Sequence, residues 1–317
     1  MRIIFAGTPQ NAAQTLKALH DAGVEVGLVL TRTDSKVGRK GILTESPVAA
    51  MAGRLQLRVH KADKIGSSAI TAILEAKADL AVVVAYGVIL QQPVIELVPL
   101  GWFNVHYSLL PAYRGAAPVQ HTLLNRDEIS GISIFKIDSG LDTGALVSQV
   151  ATKVEPGENA GDLLRRLTWL SESALLEVLP RITSELVDLV PQSAEGVSLA
   201  PKLERTRFKL HSSETAQVNE ARVLAGNPEP MAYLDLKSHQ VAICDSNSVD
   251  SIELANELNT LPKLSVGSHN FVKRANNVYL ECAQGTWLQL AEVQPASKRV
   301  MSAMEWFNGL KFESSGK

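Results

Sequence analysis

Three residues between Trp102 and Leu146 have the types and spacing to do chemistry: Asn104, His106 and Asp142. Asn104 and His106 stand at i and i+2, so on a strand they share one face. That face pairs an amide donor with an imidazole that titrates near neutrality. Asp142 lies between Gly140 and Gly144, in a turn where backbone can approach a ligand closely. Such a set fits acyl transfer. An amide and an imidazolium stabilise an oxyanion, while a carboxylate tunes the imidazole or relays a proton. An N-x-H pair taken alone is also what a strand-end histidine capped by a carbonyl looks like, so its surroundings must decide.

The surroundings form one strand–loop–helix–strand–turn unit. A short apolar strand, Trp102 to Val105, delivers Asn104 and His106 to its end. A loop follows through Ser108-Leu109-Leu110-Pro111 to Arg114-Gly115. A helix is expected from about Ala116, with Pro118 in its first turn, where a missing N–H costs nothing. A second strand, Gly131 to Ile137, leads into the turn from Asp138 to Gly144.

The ordered combination N-V-H-x-S-L-L-P, R-G-A-A-P and L-D-T-G resembles the folate-dependent formyltransferases, which move a formyl group from 10-formyltetrahydrofolate to an amine. Within that superfamily it is most similar to the branch that acts on methionyl-initiator tRNA. The resemblance implies that Asn104, His106 and Asp142 are catalytic. It implies that Ser108, Leu109, Leu110 and Pro111 help hold the folate, with the turn Tyr86-Gly87 beside the pterin. The same donor with a sugar-nucleotide amine is the alternative substrate reading. Glycinamide ribonucleotide formyltransferases, a formyl-group hydrolase and a non-catalytic RNA-binding module fit less well. The expected chemistry needs no metal: Asn104 and a protonated His106 bind the oxyanion, and Asp142 keeps the imidazole charged. Three places depart from the family's usual pattern. Gln10-Asn11 stands where an acid and an aromatic are usual. Tyr107 follows the histidine in place of a small residue, and Glu229 and Met231 interrupt a motif that usually carries Trp and Gly.

The elements ahead of this unit read as alternating strands and helices. Arg2 to Ala6 and Val24 to Leu30 are expected strands around a helix from Asn11 to Ala22 that stops at Gly23. Both strands are apolar on both faces, which argues for a parallel sheet covered on both sides. The G-x-G-x-x-G fingerprint is absent after the first strand, so a nucleotide cofactor is the poorer expectation. Pro47 to Ala52 starts a short helix, Leu57 to His60 reads as a strand, and Lys64 to Ala76 is amphipathic. Leu80 to Ala85 is fully apolar and expected at the sheet's centre. The polar stretch Thr31 to Gly41 reads as a loop, with Arg32, Lys36, Arg39 and Lys40 against Asp34. The resemblance places this loop against the tRNA acceptor end, where its four cations would meet phosphates.

After a strand from Ala145 to Lys153, a long helical stretch runs from Ala160 to about Leu189, broken at Pro180. The expected division is a doubly wound α/β catalytic domain at 1–189, a linker at 190–206 and a small OB-like barrel at 207–317 that binds tRNA. Expected strands of the barrel are Ala232 to Leu236, Gln240 to Cys244, Asn277 to Cys282 and Thr286 to Val293, after a helix from Thr215 to Ala225. Residues 207–317 hold 11 Lys or Arg and 12 Asp or Glu, so any RNA surface there must be one face, with Lys298 and Arg299 as candidates.

Composition sets outer bounds. Of 317 residues, 45% are hydrophobic and 20% charged, and the formal charge is −2, an ordinary globular balance. Cys244 and Cys282 are too few for a disulfide framework and lie in no metal-binding spacing. The chain opens on Ile3-Ile4-Phe5 with no signal-like n-region. Its longest apolar run, Leu80 to Leu90, falls short of the ~20 residues a membrane helix needs. A cytoplasmic monomer is expected, with no membrane partner.

Overall fold

The computed structural model describes residues 1–38, 41–184, 186–236 and 239–310. They gather in two units. The first takes 1–118, 129–153 and 164–201; the second takes 119–128, 154–163 and the chain from Lys202 onward.

The first unit is built on a seven-stranded sheet. In chain order the elements up to residue 183 are β1 (Arg2–Gly7), α1 (Gln10–Asp21), β2 (Glu25–Thr31), β3 (Ser35–Val37), β4 (Ile42–Thr44), α2 (Pro47–Arg54), β5 (Val59–Lys61), α3 (Ser67–Ala76), β6 (Leu80–Val84), α4 (Gln92–Ile95), β7 (Trp102–His106), α5 (Pro118–Asn125), β8 (Ile129–Lys136), β9 (Leu146–Lys153) and α6 (Ala160–Thr183); of these α5 past Pro118 and the first turn of α6 count to the second unit. The strand order is β5-β2-β1-β6-β7-β8-β9, which puts β6 at the centre. The first five run parallel, and β8 and β9 then pair antiparallel. Every residue of β6 is buried, as a strand covered on both faces requires. Ile4, Ala6, Leu28, Leu30, Ala81 and Val83 form one face of the core with α3, α4 and Trp102. Each large apolar side chain so buried contributes about 1.5–3 kcal/mol.

Several elements depart from the sequence reading. The stretch 31–41 is not a plain loop: β3 and β4 form a two-stranded hairpin within and just beyond it. Its Val37, Ile42 and Leu43 are exposed, so no burial pattern marks it in the sequence. The helix expected near Ala116 begins at Pro118, and the strand expected at 57–60 lies at Val59–Lys61. The long helix α6 carries Pro180 inside its last turn and ends three residues later, at Thr183, instead of reaching Leu189. Proline removes one backbone donor, and so late in the helix little remains to be held. Val190 pairs as an isolated bridge with Leu146 at the start of β9.

The second unit is an antiparallel sheet with helices. After a turn of 3-10 helix at Arg205–Phe208 come α7 (Ala216–Gly226), β10 (Ala232–Leu236), β11 (His239–Ser248), α8 (Ile252–Thr260), β12 (Leu264–Val266), β13 (His269–Arg274), β14 (Asn277–Glu281), β15 (Trp287–Pro295), β16 (Met301–Ser302) and α9 (Ala303–Asn308). Strands run in the order β10-β11-β15-β14-β13-β12, with β16 on β15. The register of β11 shifts at Cys244 against β15, a bulge that sharpens the sheet's curl. The curl brings β13 back toward β10, where His269 Nε2 lies 3.2 Å from the Asp235 carbonyl. The sequence reading missed α8, β12 and β13. Leu258, Val272, Tyr279 and Trp287 pack together beneath α8. No helix among the described residues is long and apolar enough to cross a membrane.

Candidate active site

The site forms at the carboxyl end of β7. Asn104 lies beside Val83 of β6 and Phe135 of β8, and His106 beside Ser133 of β8. Strand alternation points both side chains to one face. His106 is 5% exposed. Its Nε2 lies 2.8 Å from the Tyr113 carbonyl oxygen. A carbonyl only accepts, so Nε2 carries the hydrogen and donates it. In a neutral ring the free lone pair is then on Nδ1, and Nδ1 faces Asp142 Oδ2 at 3.7 Å. That gap holds no hydrogen bond. Asp142 Oδ2 accepts instead from the Gly115 N–H at 2.8 Å. The Asp142 backbone sits at φ 52°, a left-handed conformation that aspartate tolerates. Among the described residues the half-buried Asn104 amide has no hydrogen-bond partner, which leaves it to a ligand.

Burial pushes the His106 pKa below the ordinary value, and the opposing pull of the Asp142 carboxylate and the bond to Tyr113 does not overcome it. Burial thus favours the neutral imidazole in the free protein. A proton arriving at Nδ1 would find an acceptor on either side of the gap.

The loop Ser108 to Pro111 is fastened inward. Ser108 Oγ donates to the Ala112 carbonyl at 2.6 Å. The Leu110 N–H donates to Ser133 Oγ at 3.0 Å, and Ser133 Oγ to the Ser108 carbonyl at 2.7 Å. Gln149 Nε2 reaches both the Leu110 carbonyl, at 2.8 Å, and Ser133 Oγ, at 3.0 Å. Ser108 and Leu110 are thus buried struts, and what the loop offers a ligand is a fixed wall. Ser133 and Gln149 were not singled out in the sequence; a lone serine inside the apolar run of β8 was the available signal.

Beside the end of β7 on the sheet's carboxyl edge is the turn after β6. Tyr86 is 1% exposed and packs into the core, and burial pushes its hydroxyl up to about 12. Its ring is not presented at the edge. Exposed Gly87, at φ 77°, leaves backbone accessible there, and Arg32 passes alongside it. Arg32 is itself tied, its Nε donating to Asp63 Oδ1 at 3.0 Å, and Asp34 is paired with Lys61 at 2.6 Å. Lys36 is exposed on β3. Arg39 and Lys40 lie outside the described residues.

Two departures from the family pattern meet in space. Asn11 Nδ2 donates to the Tyr107 hydroxyl at 2.9 Å. The hydroxyls of Thr168 and Ser171 of α6, both fully buried, lie against that hydroxyl. The larger residue beside the histidine is therefore housed against polar side chains of α1 and α6.

Residues 1–179 match the formyl transferase family, and residues 202–311 match the formyl transferase C-terminal domain. The chain belongs to the formyl transferase family. The formyl transferase is 36% identical over 309 residues to the methionyl-tRNA formyltransferase of Arthrobacter sp. (strain FB24), covering 98% of this chain and 97% of that one. It is 33% identical to the methionyl-tRNA formyltransferase of Lactobacillus acidophilus, covering 97% and 95%. Among solved structures it resembles the N-formyltransferase of Helicobacter canadensis in complex with folinic acid and dTDP-3-aminofucose. There the TM-score is 0.67 at 17% identity, over 92% of this chain and 98% of that one. The sugar 3N-formyl transferase WlaRD gives 0.66 at 17% identity, over 94% and 99%. Those two likenesses speak to the fold alone.

Proposed function

We propose that this formyl transferase moves the formyl group of 10-formyltetrahydrofolate to the α-amine of methionine esterified to initiator tRNA, releasing tetrahydrofolate. The observation that carries the chemistry is the convergence of Asn104, His106 and Asp142 at the end of β7, with the carboxylate 3.7 Å from the imidazole. Full-length identity of 33–36% to methionyl-tRNA formyltransferases supports the acceptor.

The amine nitrogen attacks the formyl carbon, and a tetrahedral oxyanion forms. The Asn104 amide is the free donor for it. As the new C–N bond forms, the amine must lose a proton, and the lone pair of His106 Nδ1 beside Asp142 is the place that gains most from taking it. The proton then goes to N10 as the bond from the formyl carbon to N10 breaks. Burial favours the neutral ring before the reaction, and the proton taken from the amine charges it during the reaction, the state the sequence reading expects at the oxyanion. Asp142 offsets the cost of that buried charge. The inward-fastened loop Ser108–Pro111 serves the folate as a wall, with the Gly87 backbone at the pterin. Lys36 is the exposed cation offered to the tRNA phosphates, and Arg32 joins it only by giving up Asp63.

The test is formyl transfer from 10-formyltetrahydrofolate to initiator and elongator methionyl-tRNA and to a dTDP-amino sugar. Transfer to the initiator is the expected result. Turnover on the sugar nucleotide with neither tRNA formylated would keep the chemistry and overturn the acceptor.

A further inference from the structure

The segment after α6 reads in the sequence as the start of a linker, polar and without periodicity. In the structure its first residues are bound to the first unit as a strap across the catalytic turn. Val190 exchanges backbone hydrogen bonds with Leu146, at 2.7 and 2.9 Å. Further on, the Arg114 N–H donates to the Ser198 carbonyl at 2.9 Å, and the Ala200 N–H to the Arg114 carbonyl at 2.7 Å. The Tyr113 N–H donates to Ser198 Oγ at 2.9 Å. Between these anchors most of the strap is exposed, and Gln192 turns inward.

Gln192 uses its whole carboxamide. Nε2 donates to the carbonyls of Asp142, at 2.8 Å, and Gly144, at 2.9 Å. Oε1 accepts from Arg114 Nε at 3.1 Å and from its terminal nitrogen at 2.6 Å. A primary amide has two donor hydrogens and two acceptor lone pairs, and all four are engaged. The reversed orientation would set an NH2 against a guanidinium and an oxygen against two carbonyls, so one rotamer is fixed. Asp142 is consequently held twice: its carboxylate by the Gly115 N–H, and its main chain by Gln192.

We infer that Gln192 is a positioning residue that holds the Asp142 turn at its working distance from His106. The inference rests on the formyl-transfer reading above. Gln192 itself reaches neither the imidazole nor a place where substrate would react. Its effect passes through Asp142, whose carboxylate is the charge acting on the buried ring.

The experiment compares full-length wild type, Gln192→Ala, Asp142→Asn and the double variant, with kcat and KM for both substrates. Loss of about 1 Å of precision costs up to about 10²-fold. Gln192→Ala should therefore lower kcat about tenfold or more with KM nearly unchanged, and should add less than about twofold in the Asp142→Asn background, because both act on one group. Gln192→Glu keeps the partner of Arg114 but turns an oxygen on the two carbonyls, so it should lose as much as alanine. If alanine does not fold, as read by circular dichroism, Gln192→Met fills the same length. Equal losses in both backgrounds, a raised KM at unchanged kcat, or full activity of Gln192→Glu would overturn the inference. If the wild type itself transfers no formyl group, the reaction reading fails, and histidine NMR decides the rest. The His106 pKa in Gln192→Ala should move toward that of Asp142→Asn; a value left at wild type refutes the role of Gln192.

Discussion

Gly115→Ala should damage catalysis while the fold survives. Gly115 lies at φ 125°, a region closed to side-chain-bearing L residues. A Cβ there would stand 2.7 Å from the Ala200 carbonyl oxygen and 3.1 Å from its carbon, where ordinary contact begins at 3.4 Å. Ala200 cannot step back. It is fully buried, its N–H is bonded to Arg114 and its carbonyl accepts from Ala117 at 3.0 Å. The relief must come from residue 115, whose N–H holds Asp142. Backbone strain of this kind costs about 1–3 kcal/mol, a drop of roughly 2–12 °C in the melting temperature of a unit this size. A shift of several tenths of an ångström at the carboxylate should lower kcat by about 10–10²-fold. The assay is steady-state formyl transfer alongside a thermal melt, with Gly53→Ala in α2 as control. A Cβ at Gly53 meets nothing within 4 Å, so that change should leave activity alone and stabilise by about 0.4–1 kcal/mol. Wild-type kcat in Gly115→Ala would refute the argument that the strap and the glycine together set the position of Asp142.

Asp142→Asn keeps an oxygen for the Gly115 N–H but removes the charge that raises the His106 pKa, so that pKa should fall further; histidine NMR showing no fall would contradict the coupling. Burial holds both His106 and His269 below the ordinary histidine value. The unfolded chain therefore binds more protons below about pH 6.5, and stability should be full above that pH and decline as it falls through the folded-state values. Urea unfolding at pH 7.5 and 5.5 checks this, and equal midpoints would refute it. Lys36→Ala should weaken tRNA binding and reduce the slope of log affinity against log salt by about 0.9 for one lost phosphate contact; an unchanged slope would take Lys36 out of the interface.

The parts of the molecule legible in the sequence are those that carry a period or a motif. β6 reads as a strand because five apolar residues in a row need two covered faces, and the trio reads as a site because its motifs come in order. Burial is what the letters hide. Nothing in the N-x-H pair says that the ring is 5% exposed, and that burial is what lowers its pKa. Gln192 was invisible for a related reason: a polar, aperiodic stretch looks the same whether its hydrogen bonds go to water or to the Asp142 turn. α8 did carry a signal, since Ser251 accepts from the Leu254 N–H at 3.2 Å and Glu253 sits in the first turn. Its weak apolar stripe, with Leu258 alone buried, masked it. The hairpin of β3 and β4 had no core to face and so no pattern to show.

The path of the backbone between the two units carries a lesson for anyone cutting or splicing this gene. The chain passes from one unit to the other after Pro118, Glu128, Lys153, Leu163 and Pro201. A stop codon placed after Pro201 would leave two short stretches, 119–128 and 154–163, severed from the rest of their own unit. A chimaera joined at that seam would ask those same stretches to accept a foreign carboxyl-terminal half. In this protein an exchange of modules means three coordinated grafts, and a single crossover does not deliver it.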